Sequence, residues 1–393
     1  MSLMRLLYLL PLTAGLIYAS PAWSEDEEVP LPRHMTADER ARWKPPTWVP
    51  RGAAPPGPVR AVAEYEPNDG ILMRWTASSS LIPLQSEMIT KVTTLDSHAK
   101  VYLVVASTAQ QNSVTTTLTN AGANLARVQF IIAASDSIWM RDYGPRYVIN
   151  EAGQLAIIDH DYNRPRPNDD QIPVALANAW NQPRYDIGLL HGGGNYHLFD
   201  DRAAFLTNLI FDPSEGNPAL NLADVQDRYL DYQGNLVEVT AALPQALDAT
   251  RHIDMWMLPA STNSVIISEY SPSLLSGVPA QVTNDMASTL AGRGYTVFRT
   301  PGFQCNGAHC TYANAVILNN LVLTCRFTPA SNPTQYAAQN AQAVSVFQQA
   351  FPGRIIDTVD CTNIIGMAGA IHCIVMHVPS VGLVALFTDG FEG

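Results

Sequence analysis

A cysteine and a histidine, far apart in the chain, are the residues best suited to covalent chemistry. Cys373 lies in GMAGAIHCIVMHVP, where the small residues before it let a ligand approach the backbone closely. A thiolate is a strong nucleophile once its pKa falls toward neutrality. His252, in RHIDMWML, supplies a side chain that transfers protons near neutral pH. The alternative for each residue is a buried structural position.

Two aspartates could bind a cation beside these groups. Asp254 alternates with His252 in what the pattern predicts to be a strand, so the two side chains would share a face. Asp142, in WMRDYGPR, has the aromatic neighbours Trp139 and Tyr143, and aromatic faces attract cations. A carboxylate can hold a guanidinium through two parallel hydrogen bonds. The alternative for Asp142 is a structural ion pair with one of the adjacent arginines.

Two further patterns bear on cofactors. The three glycines of LLHGGGNYH lack the spacing of a dinucleotide fingerprint, and they favour a tight turn that presents Asn195. Histidines are numerous, but none stands at a zinc-ligand spacing such as H-E-x-x-H. The sequence therefore predicts neither a catalytic metal nor a cofactor.

A pair of arginines stands out in a chain whose formal net charge is −12. Arg164 and Arg166 alternate with prolines in YNRPRPNDD, which predicts a stiff, extended stretch. Residues two apart on an extended chain point to the same side, so both guanidinium groups should face one anionic partner. The alternative is pairing with Asp161, Asp169 or Asp170.

The elements that position these residues follow an α/β pattern, because short apolar strands alternate with helices. Predicted strands include VYLVVAS, VQFIIA, LAIID, SVIISE, AVILNNLVLTC and CIVMHVP, and predicted helices include 84–97, 173–180, 278–292 and 335–350.

Chemically capable residues recur just before strands at similar intervals. The markers are Asp142, Asn195, His252, Asn314 and Cys373, separated by 53, 57, 62 and 59 residues. Near-constant spacing predicts a repeated unit with one such residue at the same local position. A radial arrangement, as in a propeller, would bring them to a common axis.

The N-terminal sequence and the charge balance bear on domain organisation and cellular location. Residues 1–24 resemble a signal peptide, with Arg5 before the apolar run 6–18, although an uncleaved anchor is the alternative. Residues 25–58 are expected to be an extended segment, and 59–393 a single catalytic domain. The predicted location is periplasmic or secreted. The acidic balance argues against nucleic acid and anionic membranes as partners.

Five cysteines in an oxidising compartment leave one unpaired. One natural scheme pairs Cys305 with Cys310 and Cys325 with Cys361, and leaves Cys373 free. Connectivity itself is not fixed by the sequence.

The motifs WMRDYGP, GGGNY, HIDMW, YANAVILN and GAIHC, in this order and spacing, resemble the bacterial (Porphyromonas-type) peptidylarginine deiminase family, which also contains agmatine deiminases. The resemblance covers most of residues 60–380. It implies the pentein fold, a five-bladed α/β propeller of pseudo-fivefold repeats around a central active site.

The resemblance also implies a role for each matching residue. These roles are Cys373 as nucleophile, His252 as general acid and base, Asp142 and Asp254 as the carboxylates that bind the guanidinium, Asn314 as an active-site asparagine and Trp139 as an aromatic wall of the substrate slot. The implied reaction is hydrolysis through a covalent Cys373 thiouronium intermediate that releases ammonia.

Arg164 and Arg166 match the arginines that bind the α-carboxylate of a C-terminal arginine in the peptidylarginine branch. Agmatine has no carboxylate, and the agmatine branch typically carries Glu where this chain has His191. The resemblance therefore predicts peptides or proteins ending in arginine as substrates and citrulline as the product. Agmatine or free arginine deimination is the near alternative, and a non-catalytic arginine-binding propeller the remote one. The oligomeric state stays open.

Overall fold

The computed structural model describes residues 27–199 and 203–381. The predicted signal peptide lies outside the described residues, and none of the helices described is long and apolar enough to cross a membrane. The strands are β1 (Val59–Ala61), β2 (Asn68–Arg74), β3 (Lys100–Val105), β4 (Val128–Ile132), β5 (Arg146–Asn150), β6 (Leu155–Tyr162), β7 (Arg184–His191), β8 (His197–Leu198), β9 (Ala203–Thr207), β10 (Leu236–Thr240), β11 (Met257–Ser261), β12 (Ser264–Glu269), β13 (Thr296–Cys305), β14 (Ala308–Thr311), β15 (Val316–Ile317), β16 (Leu321–Arg326), β17 (Ile355–Asp360) and β18 (Val375–Pro379). The helices are α1 (Ala37–Arg42), α2 (Ile82–Leu95), α3 (Thr108–Asn120), α4 (Met140–Tyr143), α5 (Pro167–Asp170), α6 (Ile172–Trp180), α7 (Leu222–Gln233), α8 (Val278–Gly292) and α9 (Ala337–Ala350).

One unit is repeated around the described part of the chain. Two antiparallel strands are followed by a helix and by a third strand that lies parallel to the second. The units are β5-β6-α6-β7, β8-β9-α7-β10, β11-β12-α8-β13, β15-β16-α9-β17 and β18-β2-α2-β3. Each unit belongs to a separate sheet, so the repeat and the five-bladed α/β propeller are confirmed.

The two ends of the propeller domain close the ring in one blade. β18 pairs antiparallel with β2, with Val375 opposite Met73. β2 pairs in turn with β3, where Gly70 approaches Lys100 so closely that a Cβ atom on Gly70 would overlap the Lys100 carbonyl oxygen. A glycine is therefore required at this contact.

The buried strands and capped helices follow ordinary sequence rules. β3 is a nearly continuous apolar run, as expected for a parallel strand covered on both faces, and it packs in the largest buried cluster with Val322 and Val375. α7 begins with a capping box of Asn221 and Asp224 and ends at Gly234 in the left-handed conformation.

The predicted elements are largely confirmed, with two corrections. AVILNNLVLTC forms two antiparallel strands, β15 and β16, rather than one, because the two asparagines at its centre form a turn. The segment before the domain is not extended throughout, because α1 forms there with Thr36 and Glu39 as its capping box. The disulfides Cys305–Cys310 and Cys325–Cys361 agree with the proposed scheme, and Cys373 is free and buried.

Candidate active site

The repeated units place their reactive residues at equivalent points, just before the first strand of a blade. Asp142 lies in α4 ahead of β5, and Asn314 directly precedes β15. Cys373 lies in the 3₁₀ turn His372–Ile374 ahead of β18. The structure brings these residues together with His252 and Asp254, as the predicted convergence requires.

The local structure of two site residues differs from the prediction. His252 and Asp254 do not alternate on a strand, because His252 precedes a 3₁₀ turn, Ile253–Met255, and β11 begins only at Met257. Both side chains still reach the site, since the tight turn directs them to the same region. Asn195 also occupies the equivalent position in its unit, but its amide pairs with the backbone of Thr207, so its role is structural.

An arginine from the segment before the domain fills the centre of the site, and the sequence analysis did not anticipate it. Arg33 is completely buried. Its Nε donates to Oδ2 of Asp142 at 2.8 Å, and its Nη2 donates to Oδ1 of the same carboxylate at 2.7 Å. This bidentate arrangement is the strongest way for a carboxylate to hold a guanidinium. Asp142 pairs with neither of its neighbours, because Arg141 is paired with Glu64 and Arg146 contacts Tyr229.

Asp254 binds the other edge of the same guanidinium. Its Oδ1 accepts from Nη1 of Arg33 at 3.0 Å, and its Oδ2 accepts from Nη2 at 2.9 Å. Behind it, Nδ1 of His372 lies 2.9 Å from Oδ2, and Nε2 of His372 lies 2.8 Å from Glu64. Glu64 and His372 were not predicted. They form a chain of hydrogen bonds, partly buried at Glu64, that fixes the orientation of Asp254.

Cys373 faces the guanidinium from the remaining side. Nη1 of Arg33 lies 2.6 Å from its Sγ. Asn314 holds the turn that carries the thiol, since its Oδ1 accepts from the backbone amides of His372 and Cys373 at 3.0 and 3.4 Å. Its Nδ2 also donates to Sγ at 3.1 Å. Asn314 therefore positions the sulfur.

His252 completes the ring of contacts. Its Nδ1 lies 2.8 Å from Nη2 of Arg33 and 3.4 Å from Oδ1 of Asp142. Nη2 thus faces His252 and both aspartates, although it carries only two hydrogens for three acceptors. Nη1 uses its two hydrogens on Asp254 and Cys373. With one more acceptor than hydrogens at Nη2, His252 need not accept a hydrogen bond there. Nη2 is therefore the nitrogen to which a protonated His252 can donate.

The electrostatics of the site depend on the cation at its centre. Burial alone would raise the pKa of Asp142 and of Asp254, but the Arg33 guanidinium and nearby histidines outweigh it and hold both pKa values below the ordinary range. Burial raises the pKa of the Cys373 thiol well above its ordinary value, while Arg33 opposes this rise. Thiolate formation is therefore favoured by a guanidinium against Sγ.

The glycine run makes room for the guanidinium, which corrects the predicted role of presenting Asn195. A Cβ atom on Gly194 would overlap Nη2 of Arg33. The amide of Gly194 donates to Oδ1 of Asp142 at 3.1 Å, and the amide of Gly193 donates to the Asp142 carbonyl at 2.8 Å. The run therefore both admits the cation and holds the carboxylate that binds it.

The aromatic neighbours of Asp142 do not form the predicted pair of cation-binding faces. The buried Trp139 donates its indole N–H to the carbonyl of Leu31 at 2.9 Å, so it holds the segment that carries Arg33. Tyr143 turns away, because its hydroxyl donates to the Ser137 carbonyl at 2.6 Å.

Arg164 and Arg166 both contact the segment before the domain, but the stretch that carries them is not extended, and each arginine pairs with a different carboxylate. The amide of Arg166 donates to the Arg164 carbonyl, which closes a tight turn before α5. Nε of Arg164 donates to the Arg33 carbonyl at 3.3 Å, and Nη1 lies 3.0 Å from Glu215. Nη2 of Arg166 donates to the carbonyl of Pro32 at 2.7 Å. Neither arginine forms an ion pair with Asp161, Asp169 or Asp170, so that alternative is wrong.

One cluster behind the site has the composition of a metal centre. Glu64, His197 and His372 place potential ligand atoms within 4.8 Å of one another. Both ring nitrogens of His372 are already engaged, one by Asp254 and one by Glu64. Glu64 and His372 are therefore engaged in hydrogen bonds that support Asp254, whereas Nε2 of His197 has no hydrogen-bond partner among the described residues.

The arrangement can carry out nucleophilic substitution at a guanidinium carbon. Two carboxylates fix the planar cation. The sulfur of Cys373 contacts one of its nitrogens, and the imidazole of His252 contacts another. Fixing the reacting groups in this way removes much of the entropic cost of attack. The fold and site together define a guanidine-modifying hydrolase of the pentein type.

Comparison with known proteins agrees with this class. Residues 60–379 match the model of the Porphyromonas-type peptidyl-arginine deiminase family. The match spans most of the 393 residues, and the chain belongs to this family. It is accordingly a deiminase, a hydrolase of amidine C–N bonds.

Similar proteins are named as agmatine deiminases or as arginine deiminases. A Legionella pneumophila (strain Paris) protein provisionally named agmatine deiminase is 24% identical over 342 residues, which cover 81% of this chain and 94% of its own. The structure of C. jejuni agmatine deiminase with substrate bound has a TM-score of 0.70 at 14% identity, with 82% and 97% of the two chains covered. A Porphyromonas gingivalis protein provisionally named arginine deiminase has a TM-score of 0.69 at 18% identity, covering 82% and 99%. At these identities the likeness to the solved structures establishes the fold alone.

Proposed function

We propose that the chain converts the C-terminal arginine of peptides or proteins to citrulline, with release of ammonia. The observation that carries this proposal is the contact between Arg164 and the backbone of the arginine bound in the site. Arg33 supplies a guanidinium, an amide and a carbonyl in fixed positions, and it serves as a template for a substrate arginine.

The carbonyl side of the template favours a carboxylate. Nε of Arg164 donates to the Arg33 carbonyl, whereas Nη2 of Arg164 is buried and has no hydrogen-bond partner in the described part of the chain. Nε and Nη2 form the side of an arginine fork that binds carboxylates bidentately. A terminal arginine in the place of Arg33 would offer a second oxygen to this fork. Agmatine would leave both donors unused, and an unpaired buried donor is costly.

The amino side of the template favours a peptide over free arginine. Nη2 of Arg166 donates to the carbonyl of Pro32, the residue before Arg33, at 2.7 Å. The amide of Arg33 donates to the Met367 carbonyl at 2.9 Å. Free arginine could replace the second contact with its ammonium group, but it has no preceding carbonyl for Arg166.

The proposed reaction uses the contacts in order. At the start Cys373 is a thiolate and His252 carries a proton. Sγ of Cys373 forms a bond to Cζ of the substrate arginine, the C=N π electrons move onto nitrogen, and the carbon becomes tetrahedral. His252 donates a proton to the nitrogen that occupies the Nη2 position, the C–N bond breaks and ammonia leaves. Water then attacks the S-alkylthiouronium carbon, gives one proton to His252 and loses the second to solvent as the carbonyl forms. The S–C bond breaks, which restores Cys373 and releases the ureido group of citrulline.

Agmatine deimination is the second candidate, because relatives across both comparisons carry that name. The same catalytic groups would serve it without change. The two candidates differ only at Arg164 and Arg166, where agmatine has no backbone to bind.

A substrate panel tests the proposal. Ammonia and ureido product are measured with a peptide ending in arginine, the same peptide with the arginine internal, free arginine and agmatine. The unchanged chain and the Arg33→Ala variant are assayed side by side, since Arg33 occupies the site. The highest kcat/KM is expected for the terminal arginine peptide. Turnover of agmatine alone would overturn the proposal and favour the second candidate.

We further propose that the protein acts in the periplasm or outside the cell, where peptides with C-terminal arginine would be its partners. The two disulfides support an oxidising compartment. Cell fractionation with N-terminal sequencing of the mature chain tests this, and a chain that is retained in the cytoplasm with its first residues intact would contradict it.

A further inference from the structure

Arg33 receives every contact that the proposed mechanism requires of a substrate guanidinium. Both of its edges are bound by carboxylates, Nη1 lies on Sγ of Cys373, and Nη2 lies on Nδ1 of His252. The side chain has no exposure to solvent. The chain therefore closes its own site with the chemical group on which its family acts.

The backbone around Arg33 is held by a second set of contacts. Trp139 binds the Leu31 carbonyl, and Arg166 binds the carbonyls of Pro32 and His34 at 2.7 and 3.3 Å. These contacts fix the residues on both sides of Arg33 in register. The segment is therefore bound to the propeller through its backbone as well as through the Arg33 guanidinium.

The helix that follows anchors the same segment. Glu39, in α1, forms a buried ion pair with Arg166, with Nε to Oε1 at 2.7 Å. Thr36 and Glu39 cap the helix reciprocally, so the carboxylate is oriented before it meets the arginine. A group tethered in this way competes at an effective concentration on the order of millimolar. A substrate in solution would have to displace it.

A purely inhibitory segment would be expected to withhold some group needed for reaction, but Arg33 withholds none. The attacking sulfur, the proton donor and the two orienting carboxylates all contact it. We propose that Arg33, although it is an internal residue, is the chain's own first substrate and is converted in cis to citrulline, because its tether to the site takes the place of the terminal carboxylate. This inference rests on the deimination chemistry of the proposed function. Sγ of Cys373 bonds to Cζ of Arg33, the Nη2 nitrogen leaves as ammonia, and water replaces it with oxygen as the S–C bond breaks.

The product is poorly suited to remain in the site. Citrulline is neutral, and its ureido oxygen would take the place of Nη2, where it would face the oxygens of Asp142 and Asp254. Acceptors would then face acceptors, and two buried carboxylates would lose their counter-charge. The segment is therefore released by its own modification, which opens the site to other substrates.

Mass spectrometry tests the modification directly. A protease that cleaves after glutamate excises residues 29–39, VPLPRHMTADE. This peptide contains no Asn or Gln, so deamidation cannot imitate the mass change from arginine to citrulline. The unchanged chain should carry citrulline at position 33, and the Cys373→Ala variant should carry arginine there. Arg51 is the matched control, because it also follows a proline in the same segment but lies outside the site, and it should stay arginine in both chains.

A mixing experiment separates reaction in cis from reaction in trans. Isotopically labelled Cys373→Ala chain is incubated with unlabelled active chain, and position 33 of the labelled chain is followed. It should remain arginine. Citrulline formation that accelerates with the concentration of active chain would overturn the cis assignment. Thermal melting confirms that the variant is folded.

Activity measurements separate this inference from the proposed function. Arg33→Lys keeps the charge but has no guanidinium to react, so its turnover of the terminal arginine peptide should be roughly tenfold or more below that of Arg33→Ala. If position 33 of the unchanged chain stays arginine while Arg33→Ala turns over the peptide, self-modification is refuted and the proposed function stands. If Arg33→Ala is folded but turns over no guanidine substrate, the proposed function fails, and self-modification is then decided by the mass of residue 33 in the unchanged chain.

Discussion

Nη1 of Arg33 lies 2.6 Å from Sγ of Cys373, although the two residues are 340 positions apart. The contact places the segment before the domain against the turn that precedes β18. It also gives the buried thiol a cation, which opposes the rise of the Cys373 pKa that burial causes. A substrate guanidinium in the same place would oppose this rise in the same way, so binding of a substrate would favour the thiolate.

Replacement of Cys373 by alanine should abolish ammonia release, with a loss of several orders of magnitude in kcat, because the covalent intermediate cannot form. The melting temperature should change little, since the substitution removes only the sulfur atom and adds no bulk to the buried site. Cys373 is the free cysteine of a chain whose other four cysteines form disulfides, so Cys310 cannot substitute for it. Residual turnover above the uncatalysed rate would mean that another group is the nucleophile.

Stability should depend on Arg33 at neutral pH and lose this dependence in acid. The comparison uses Cys373→Ala and the double variant Cys373→Ala with Arg33→Ala, since position 33 cannot be modified in either. Burial alone would raise the pKa of Asp142 and of Asp254, but Arg33 holds both below the ordinary range. A carboxyl group whose pKa is lower in the folded state stabilises that state fully at pH values above its unfolded-state pKa. This contribution is lost as the pH falls through the lowered, folded-state pKa.

Docked Arg33 should therefore contribute about 3 kcal/mol to the free energy of unfolding at pH 7. The difference between the two variants should shrink as the pH falls below about 4, the ordinary pKa of aspartate. Chemical denaturation at a series of pH values measures it. A difference that grows in acid would contradict the ion pairing.

The site was predictable where its parts are marked by local sequence. Each motif residue lies just before the first strand of a repeated unit. The order and spacing of the motifs were therefore enough to predict the propeller and the positions of Asp142, Asn314 and Cys373. The roles of individual residues within the site could be assigned only from the structure. The glycines of HGGGNY looked like a turn, and only the position of the guanidinium explains why Gly194 has no side chain.

Arg33 could not be found in this way, because its partners lie 109, 221 and 340 residues away and no periodicity connects them. Its segment is rich in proline and resembles a linker. A signal was present nonetheless, since Thr36 and Glu39 have the spacing of a capping box and so indicate an ordered helix start. Glu64 and Glu215 were missed for the same reason, as their partners are distant in sequence.

Arg164 should determine whether a carboxylate is recognised. In the Arg33→Ala background, Arg164→Lys keeps a positive charge near Glu215 but loses the planar fork. KM for the terminal arginine peptide should rise roughly 30-fold, the equivalent of about 2 kcal/mol. Free arginine should suffer similarly, because it has the same carboxylate, while agmatine should be unaffected. Equal losses for all three substrates would indicate general damage to the site.

Arg166 should determine whether a peptide is preferred to free arginine. Its Nη2 contacts the carbonyl of Pro32, a group that a substrate has only when a residue precedes its arginine. In the Arg33→Ala background, where the guanidinium of the segment no longer fills the site, Arg166→Ala should raise KM for the terminal arginine peptide about tenfold, near the lower end of what a hydrogen bond to a charged group contributes. KM for free arginine should stay unchanged, which makes this variant the complement of Arg164→Lys. If both substrates weaken in parallel, Arg166 supports the turn around Arg164 and does not contact the substrate.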